Sequence, residues 1–304
     1  MPRCPLSPPA AVLPPHGEKP ELHVSSPSER SECGEVSPKA TEGRGFRRAV
    51  RRQRSSEVSY LTSDVWSLVS FVFYLLCVEL ILVRHGLPDW APDTFARNDP
   101  NLSDLGHQQA QRLAARVEAW GYVDEIWASP MKRSQETASP LAAALGTEIK
   151  TLDWAHEIRN PDDWEGMPID DIRTAWVDAN LRPIKELWEG MPGGEDFRDF
   201  HQRVVGGLES SLAEIGLKEA GTDPRLWTIE GDEYRIVLVA HGGTNAVVLG
   251  HLLGMAPTPW EWDRFELPHT GVARIVTLPI AHAHAFSLRA FADTTHLEPE
   301  MVTK

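Results

Sequence analysis

The chain has 304 residues, 41% hydrophobic and 24% charged, with a formal net charge of −14. That acidic surface repels phosphate backbones and excludes a general nucleic-acid binder, although a local cluster of Arg and His can reverse the sign inside one pocket. The cysteines are Cys4, Cys33 and Cys77, which excludes a disulfide framework and, from residue 78 onward, a cysteine-based zinc site or a cysteine nucleophile.

Residues 1–77 differ in composition from 78–304. They hold nine of the 24 prolines, are rich in Ser, Glu and Arg, and carry a net +2, which leaves −16 for the remaining 227 residues. Few apolar residues with many Pro and Ser predict disorder. The exception is the uncharged run Val65–Val78, preceded by the basic stretch Arg44–Arg54. A membrane anchor needs about 20 apolar residues; this run is shorter, and Glu79 blocks its extension. A secretory signal fits poorly, because no small-residue cleavage site follows. Three readings stay open: an over-extended reading frame ahead of a domain that starts at Val78, a membrane anchor, and a disordered regulatory tail. The first fits best, since VELILVRHG from Val78 is a natural first strand and no methionine lies between Met1 and Met131.

From Val78 the pattern becomes regular. Residues 78–84, apolar apart from Glu79 and the terminal Arg84, carry the mark of a buried parallel strand. Ser103 is a good N-cap for a helix over about 104–119, with Leu105, Ala110, Leu113, Ala114 and Val117 on one face. A strand follows at 123–128, a helix at 132–145 closed by Gly146, and a short strand at 148–152. The stretch 153–233 is rich in Trp, Pro and Gly and shows one clear helix, about 195–216. A strand at 234–240, a helix at 244–253 and strands at 272–278 and 285–291 complete the chain. This alternation predicts a three-layer α/β/α sandwich with a mostly parallel sheet, and 153–233 reads as an insertion forming a helical lid over the sheet's carboxyl edge.

Sites in such sheets lie at the carboxyl ends of the strands. The first strand ends in Arg84-His85-Gly86. The second ends in Ser129-Pro130, with Arg133 in the next helical turn. The strand at 234–240 ends in His241-Gly242-Gly243. Two Arg and two His around one point make a pocket for a dianionic tetrahedral group. The helix after Gly243 would add free N–H groups, and Gly242 would let a ligand approach the backbone. A neutral His there can attack phosphorus, and a nearby acid must protonate the leaving alkoxide. Glu157 is the best-placed candidate, with Asp153 and Glu165 as fallbacks.

These residues fall in ordered blocks: LVRHG at 82–86, DPNLSDLGHQQA at 99–110, SPMKRSQETA at 129–138, HEIRNPDDWEG at 156–166 and VLVAHGG at 237–243. With them the sequence resembles the histidine phosphatase superfamily, also called phosphoglycerate mutase-like, over essentially all of 78–304. The resemblance implies a phosphomonoesterase of the phosphatase branch, working through a phosphohistidine on a small phosphorylated metabolite, without cofactor or metal. His85 would be the nucleophile. Arg84, Arg133, His241 and Gly242 would hold the phosphate, and Glu157 would be the proton donor. The alternatives are mutase-type phosphoryl transfer and an inactive phosphate-binding module of the same fold. Leu87, Pro88, Trp90 and Ala91 stand where the mutase branch usually has polar residues, which favours hydrolysis. No nucleic-acid partner is expected, a homodimer is compatible with the pattern, and the expected location is cytoplasmic, with anchoring through 65–78 the minority reading.

Other candidates have blander readings. Arg203 could reach a substrate, but an exposed helix Arg is the default. His282 and His284 could share a strand face and bind metal, yet no third ligand stands out. Trp154, Trp164, Trp176 and Trp188 read as lid core, and His107 and His156 as structural.

Overall fold

A computed structural model describes residues 77–221 and 225–304. The expectations for residues 1–76, including most of the apolar run at 65–78, lie outside the described residues. In chain order the described elements are β1 (Val78–Arg84), α1 (Asp104–Ala119), β2 (Glu125–Ala128), α2 (Lys132–Leu145), β3 (Ile149–Thr151), α3 (Ile169–Asn180), α4 (Ile184–Leu187), α5 (Phe197–Glu214), β4 (Leu217–Glu219), β5 (Trp227–Ile229), β6 (Tyr234–Ala240), α6 (Gly242–Leu252), α7 (Glu261–Arg264), β7 (Val272–Ile280) and β8 (Ala283–Asp293). Among the described residues no helix is long and apolar enough to cross a membrane.

The eight strands make one sheet in the order β3-β2-β6-β1-β7-β8-β5-β4. Strands β3, β2, β6 and β1 pair in parallel; β7, β8, β5 and β4 continue the sheet by antiparallel pairing. Counting directions outward from β1, six of the eight strands point the same way. Alternation along β1 sorts the core into two faces. Leu80 and Leu82 pack with Phe197, Phe200, Val204 and Leu208 of α5 and with Val247 and Val248 of α6. Ile81 and Val83 pack with Leu113 and Val117 of α1 and Leu141 of α2. Helices therefore cover both sides, the expected three layers.

The helix ends behave as their sequences predict. Ser103 accepts from Gly106 N–H and caps α1. Gly146 closes α2 in the left-handed conformation, φ 61°. Gly106 and Gly86 are glycines for a different reason. A Cβ on Gly106 would lie 2.1 Å from Leu87 O, and one on Gly86 2.7 Å from Gly106 O. The end of β1 and the first turn of α1 approach too closely for any side chain.

The stretch 153–233 does not behave as one insertion. The stripe Phe197, Phe200, Val204, Leu208 and Leu212 buries α5 against the sheet, and β4 and β5 extend the sheet edge. What stands apart is a small core in which Ala96, Trp164, Ile172, Ala179 and Met191 pack together, with Trp176 edge-on to Trp164 at 5.9 Å. Trp154 and Trp188 pack instead on the main core. Helix α3 was hidden from sequence reading because only Ile172 and Ala179 are buried along its 12 residues.

Candidate active site

The strand register brings the predicted residues to one edge of the sheet. Arg84 pairs with Ala240, and Ala128 with Val239. His85, Ser129 and His241, each one step past its strand end, therefore emerge side by side. The His85 and His241 rings lie 5.1 Å apart, edge to face, and both are buried. Arg133, buried in the first turn of α2, donates from Nε to His85 Nε2 at 3.2 Å. Arg84 donates from Nη1 to Leu267 O at 2.7 Å.

Hydrogen bonds fix the tautomer of the central histidine. His85 Nδ1 lies 2.8 Å from Gly86 O, a group that only accepts, so Nδ1 carries the proton. Nε2 then carries the lone pair, which accepts from Arg133 Nε. Burial, followed by the neighbouring Arg133 and Arg84 charges, pushes His85 well below the ordinary histidine range. The same burial, with Arg133 next in weight, does so for His241. Arg133 itself is lowered by burial to about 10 and stays charged at neutral pH. The site thus pairs two neutral imidazoles with two guanidinium ions.

His241 Nε2 lies 2.7 Å from Ser129 Oγ. Gly86 N–H donates to Thr137 Oγ1, which in turn donates to Arg133 O at 2.6 Å, one helical turn back. Neither Ser129 nor Thr137 received a role from the sequence; both lie inside the 129–138 block, the signal that could have found them. His269 was missed outright. It is buried 5.6 Å from the His85 ring and arrives on the loop before β7. Four buried nitrogens here have no hydrogen-bond partner among the described residues: Arg84 Nε, Arg133 Nη1, His241 Nδ1 and His269 Nε2.

Glu157 occupies the N-terminus of α6. Its Oε2 accepts from Gly243 N–H at 2.9 Å. Its Oε1 accepts from Thr244 N–H at 3.1 Å and from Ile158 N–H at 3.1 Å, with the Thr244 hydroxyl 3.4 Å away. This changes one expectation. The helix N–H groups of Gly243 and Thr244, read as part of a phosphate cradle, are taken by a carboxylate, as a helix N-terminus favours. Gly242 precedes that pair and lies against Arg84, whose Nε would be 3.8 Å from a Cβ placed there. The fallback acids lie elsewhere: Asp153 is exposed, and Glu165 accepts from Asn98 N–H.

Arg203 is not an exposed helix residue. It holds Glu195 through two nitrogens, at 2.9 and 2.7 Å, and donates to the carbonyls of Trp154, His156 and Glu157. It pins the backbone that carries Glu157. His156 lies beside the site, 6.5 Å from His241, with Nδ1 on Glu157 O. His107 is exposed, 3.8 Å from Glu136. His282 and His284 do not share a face: His282 sits exposed in the β7–β8 turn with φ 65°, and His284 is buried. Among the described residues no group of three His, Cys, Asp or Glu side chains is placed to hold a metal ion.

The depressed histidines give a pH prediction. Below about pH 6.5 the unfolded chain binds protons that folded His85 and His241 refuse, so stability falls as pH drops and is flat, for these groups, above that value. Each group contributes a slope of up to about 1.4 kcal/mol per pH unit. The thermal midpoint should fall steeply from pH 6.5 to 5, and His241→Asn should flatten that fall. A midpoint that holds or rises over this range would contradict the neutral-histidine description.

The chain matches the family model for the histidine phosphatase superfamily (branch 1) over residues 80–283. It is 33% identical over 135 residues to phosphoserine phosphatase 1 of Hydrogenobacter thermophilus, covering 43% of this chain and 63% of that protein. It is 30% identical over 205 residues to a 2,3-bisphosphoglycerate-dependent phosphoglycerate mutase of Brucella melitensis biotype 2, covering 66% and 91%. Among solved structures, the mycobacterial glucosyl-3-phosphoglycerate phosphatase complexed with VO3 superposes with a TM-score of 0.51 at 25% identity, covering 70% of this chain and 98% of that one. The alignment with the Hydrogenobacter phosphatase thus spans less than two thirds of that relative's length.

Proposed function

The chain belongs to the histidine phosphatase superfamily, and from that premise we propose that it is a phosphomonoesterase that hydrolyses a small cytoplasmic phosphate ester through a phosphohistidine on His85. The observation that carries this reading is a set of buried nitrogens without a hydrogen bond among the described residues, Arg84 Nε, Arg133 Nη1 (3.7 Å from the Asp99 carboxylate) and His241 Nδ1, beside a neutral imidazole whose Nε2 carries no proton. Buried donors without partners are costly, and phosphoryl oxygens are the acceptors that suit guanidinium and imidazole N–H together.

In the first half-reaction, His85 Nε2 bonds to phosphorus as the ester P–O bond breaks. The leaving alkoxide takes a proton from Glu157. Oε2 is the oxygen suited to carry that proton, because it accepts one N–H while Oε1 serves several donors. Arg133, which rests on Nε2, must shift its hydrogen bond to the phosphoryl oxygens as Nε2 attacks. In the second half-reaction the Glu157 carboxylate takes a proton from water, the water oxygen bonds to phosphorus, and the N–P bond breaks to release inorganic phosphate.

A cavity of about 360 Å³ is lined by Ile158, the chain neighbour of Glu157, with Trp176, Trp260, Trp262, Asn180 and Asp263, and is a candidate place for the organic part of the ester. After His85-Gly86, Leu87 binds Gln109, Pro88 bridges to Leu102, and Trp90 covers the Arg133 guanidinium at 5.0 Å. That apolar cover offers no group to hold a second phosphorylated acceptor and supports hydrolysis over transfer. Purified protein given phosphoserine and p-nitrophenyl phosphate should release inorganic phosphate in step with the alcohol. Phosphate moved to an acceptor hydroxyl, with none released, would make the protein a mutase. Binding without turnover would make it a phosphate-binding module.

A further inference from the structure

We infer that His269 is a fourth phosphoryl-contacting residue, held in its donor tautomer by the hydroxyl of Thr303. The inference rests on the phosphatase reading and extends its site. His269 is 1% exposed and its ring lies 5.6 Å from that of His85, at a similar distance to His241 but from a different element. The loop that carries it is clamped to the nucleophile. Thr270 N–H lies 3.0 Å from Arg84 O and 3.3 Å from His85 O, and Arg84 reaches Leu267 O. Thr270 adopts φ 53°, a conformation a β-branched residue rarely takes. The backbone is strained here where it holds an imidazole against the nucleophile.

The tautomer follows from a chain of donors. Leu87 N–H can only donate, so Gln109 presents Oε1 to it. Gln109 Nε2 therefore faces the other way and donates to Met301 O at 2.8 Å and Thr303 Oγ1 at 2.9 Å. Thr303 Oγ1 lies 2.9 Å from His269 Nδ1. A hydroxyl that already accepts from Gln109 can donate its own proton to that nitrogen. In the inferred tautomer it does so, and the ring proton sits on Nε2. That Nε2–H is buried and has no partner among the described residues. Burial and then the Arg84 charge, with Arg133 adding to them and a hydrogen bond to the Thr303 backbone opposing, lower His269 to about 3, so the ring is neutral. A phosphoryl oxygen bound at His85 is an acceptor that this donor, the two arginines and His241 can share.

The test uses the full-length chain and two probes, inorganic phosphate and orthovanadate, as competitive inhibitors of p-nitrophenyl phosphate hydrolysis. A hydrogen bond to a charged group is worth about tenfold or more. His269→Ala should raise both inhibition constants by about that factor. His269→Gln, whose amide N–H can reach the Nε2 position, should recover much of it. Thr303→Val leaves the imidazole buried but removes its anchor. It should raise both constants about threefold and shift the ring ¹⁵N signals of His269 toward a mixture of tautomers. Unchanged inhibition constants in His269→Ala, with wild-type inhibition intact, overturn the role of His269 alone. If His269→Ala does not fold, unchanged constants and ring signals in Thr303→Val do the same. A wild-type chain that neither phosphate nor vanadate inhibits overturns the phosphatase reading, and this inference with it.

Discussion

Replacing His85 with alanine is expected to lower kcat for an aryl phosphate by about a thousandfold or more, because the group that bonds to phosphorus is gone. Its neighbours should stay in place. His85 is buried at the end of β1, and its backbone N–H binds Ala240 O, a contact alanine keeps. Arg133 Nε loses its acceptor on Nε2 and becomes a further donor for phosphate. The variant should therefore still bind orthophosphate while failing to turn over. Turnover at a tenth of wild type would remove His85 as the nucleophile. Loss of both turnover and phosphate binding, with the thermal midpoint unchanged, would make His85 a phosphate ligand instead.

Glu157→Gln carries the second large effect. General acid help is worth about 10²–10⁴ in rate. The loss should be near the top of that range for an alkyl phosphate and far smaller for p-nitrophenyl phosphate, whose leaving group hardly needs a proton. The structure adds a stability component. Glu157 places an anion on the N–H groups of Gly243 and Thr244 at the start of α6. Glutamine keeps one acceptor, loses the charge and turns an amide N–H toward a backbone N–H, a cost of about 1 kcal/mol. Thermal unfolding separates the two effects, because only the catalytic one depends on the leaving group. Equal rate losses for the two substrates would give Glu157 a positioning role.

The sequence disclosed the parallel half of the molecule well. Residues 80–83 and 236–240 are short apolar runs rich in β-branched residues that read as buried strands, and the helices between them carry recognisable caps in Ser103 and Gly146. Because sites gather at strand ends, Arg84, His85, Arg133 and His241 could be placed together before any coordinates. The rest was hidden for physical reasons. An apolar run does not reveal its direction, so nothing marked β7 as the antiparallel neighbour of β1, with Val272 opposite Val83. That pairing delivers His269 to the nucleophile, and Thr303 arrives from still farther along the chain. Helix α5 read as part of a lid because its stretch begins among Trp, Pro and Gly, yet its apolar stripe completes one face of the sandwich. The cradle expected at α6 failed on one contact: the candidate acid itself occupies the helix N–H groups.

The central claim is a covalent phosphoryl group on one nitrogen of one residue. Wild-type protein mixed with a ³²P-labelled phosphate ester, quenched in alkali within milliseconds and digested, should yield label that is stable to base and lost in acid. The labelled peptide should contain His85, and His85→Ala should yield none. Label on another residue, or steady release of inorganic phosphate with no labelled protein at any quench time, would contradict the account.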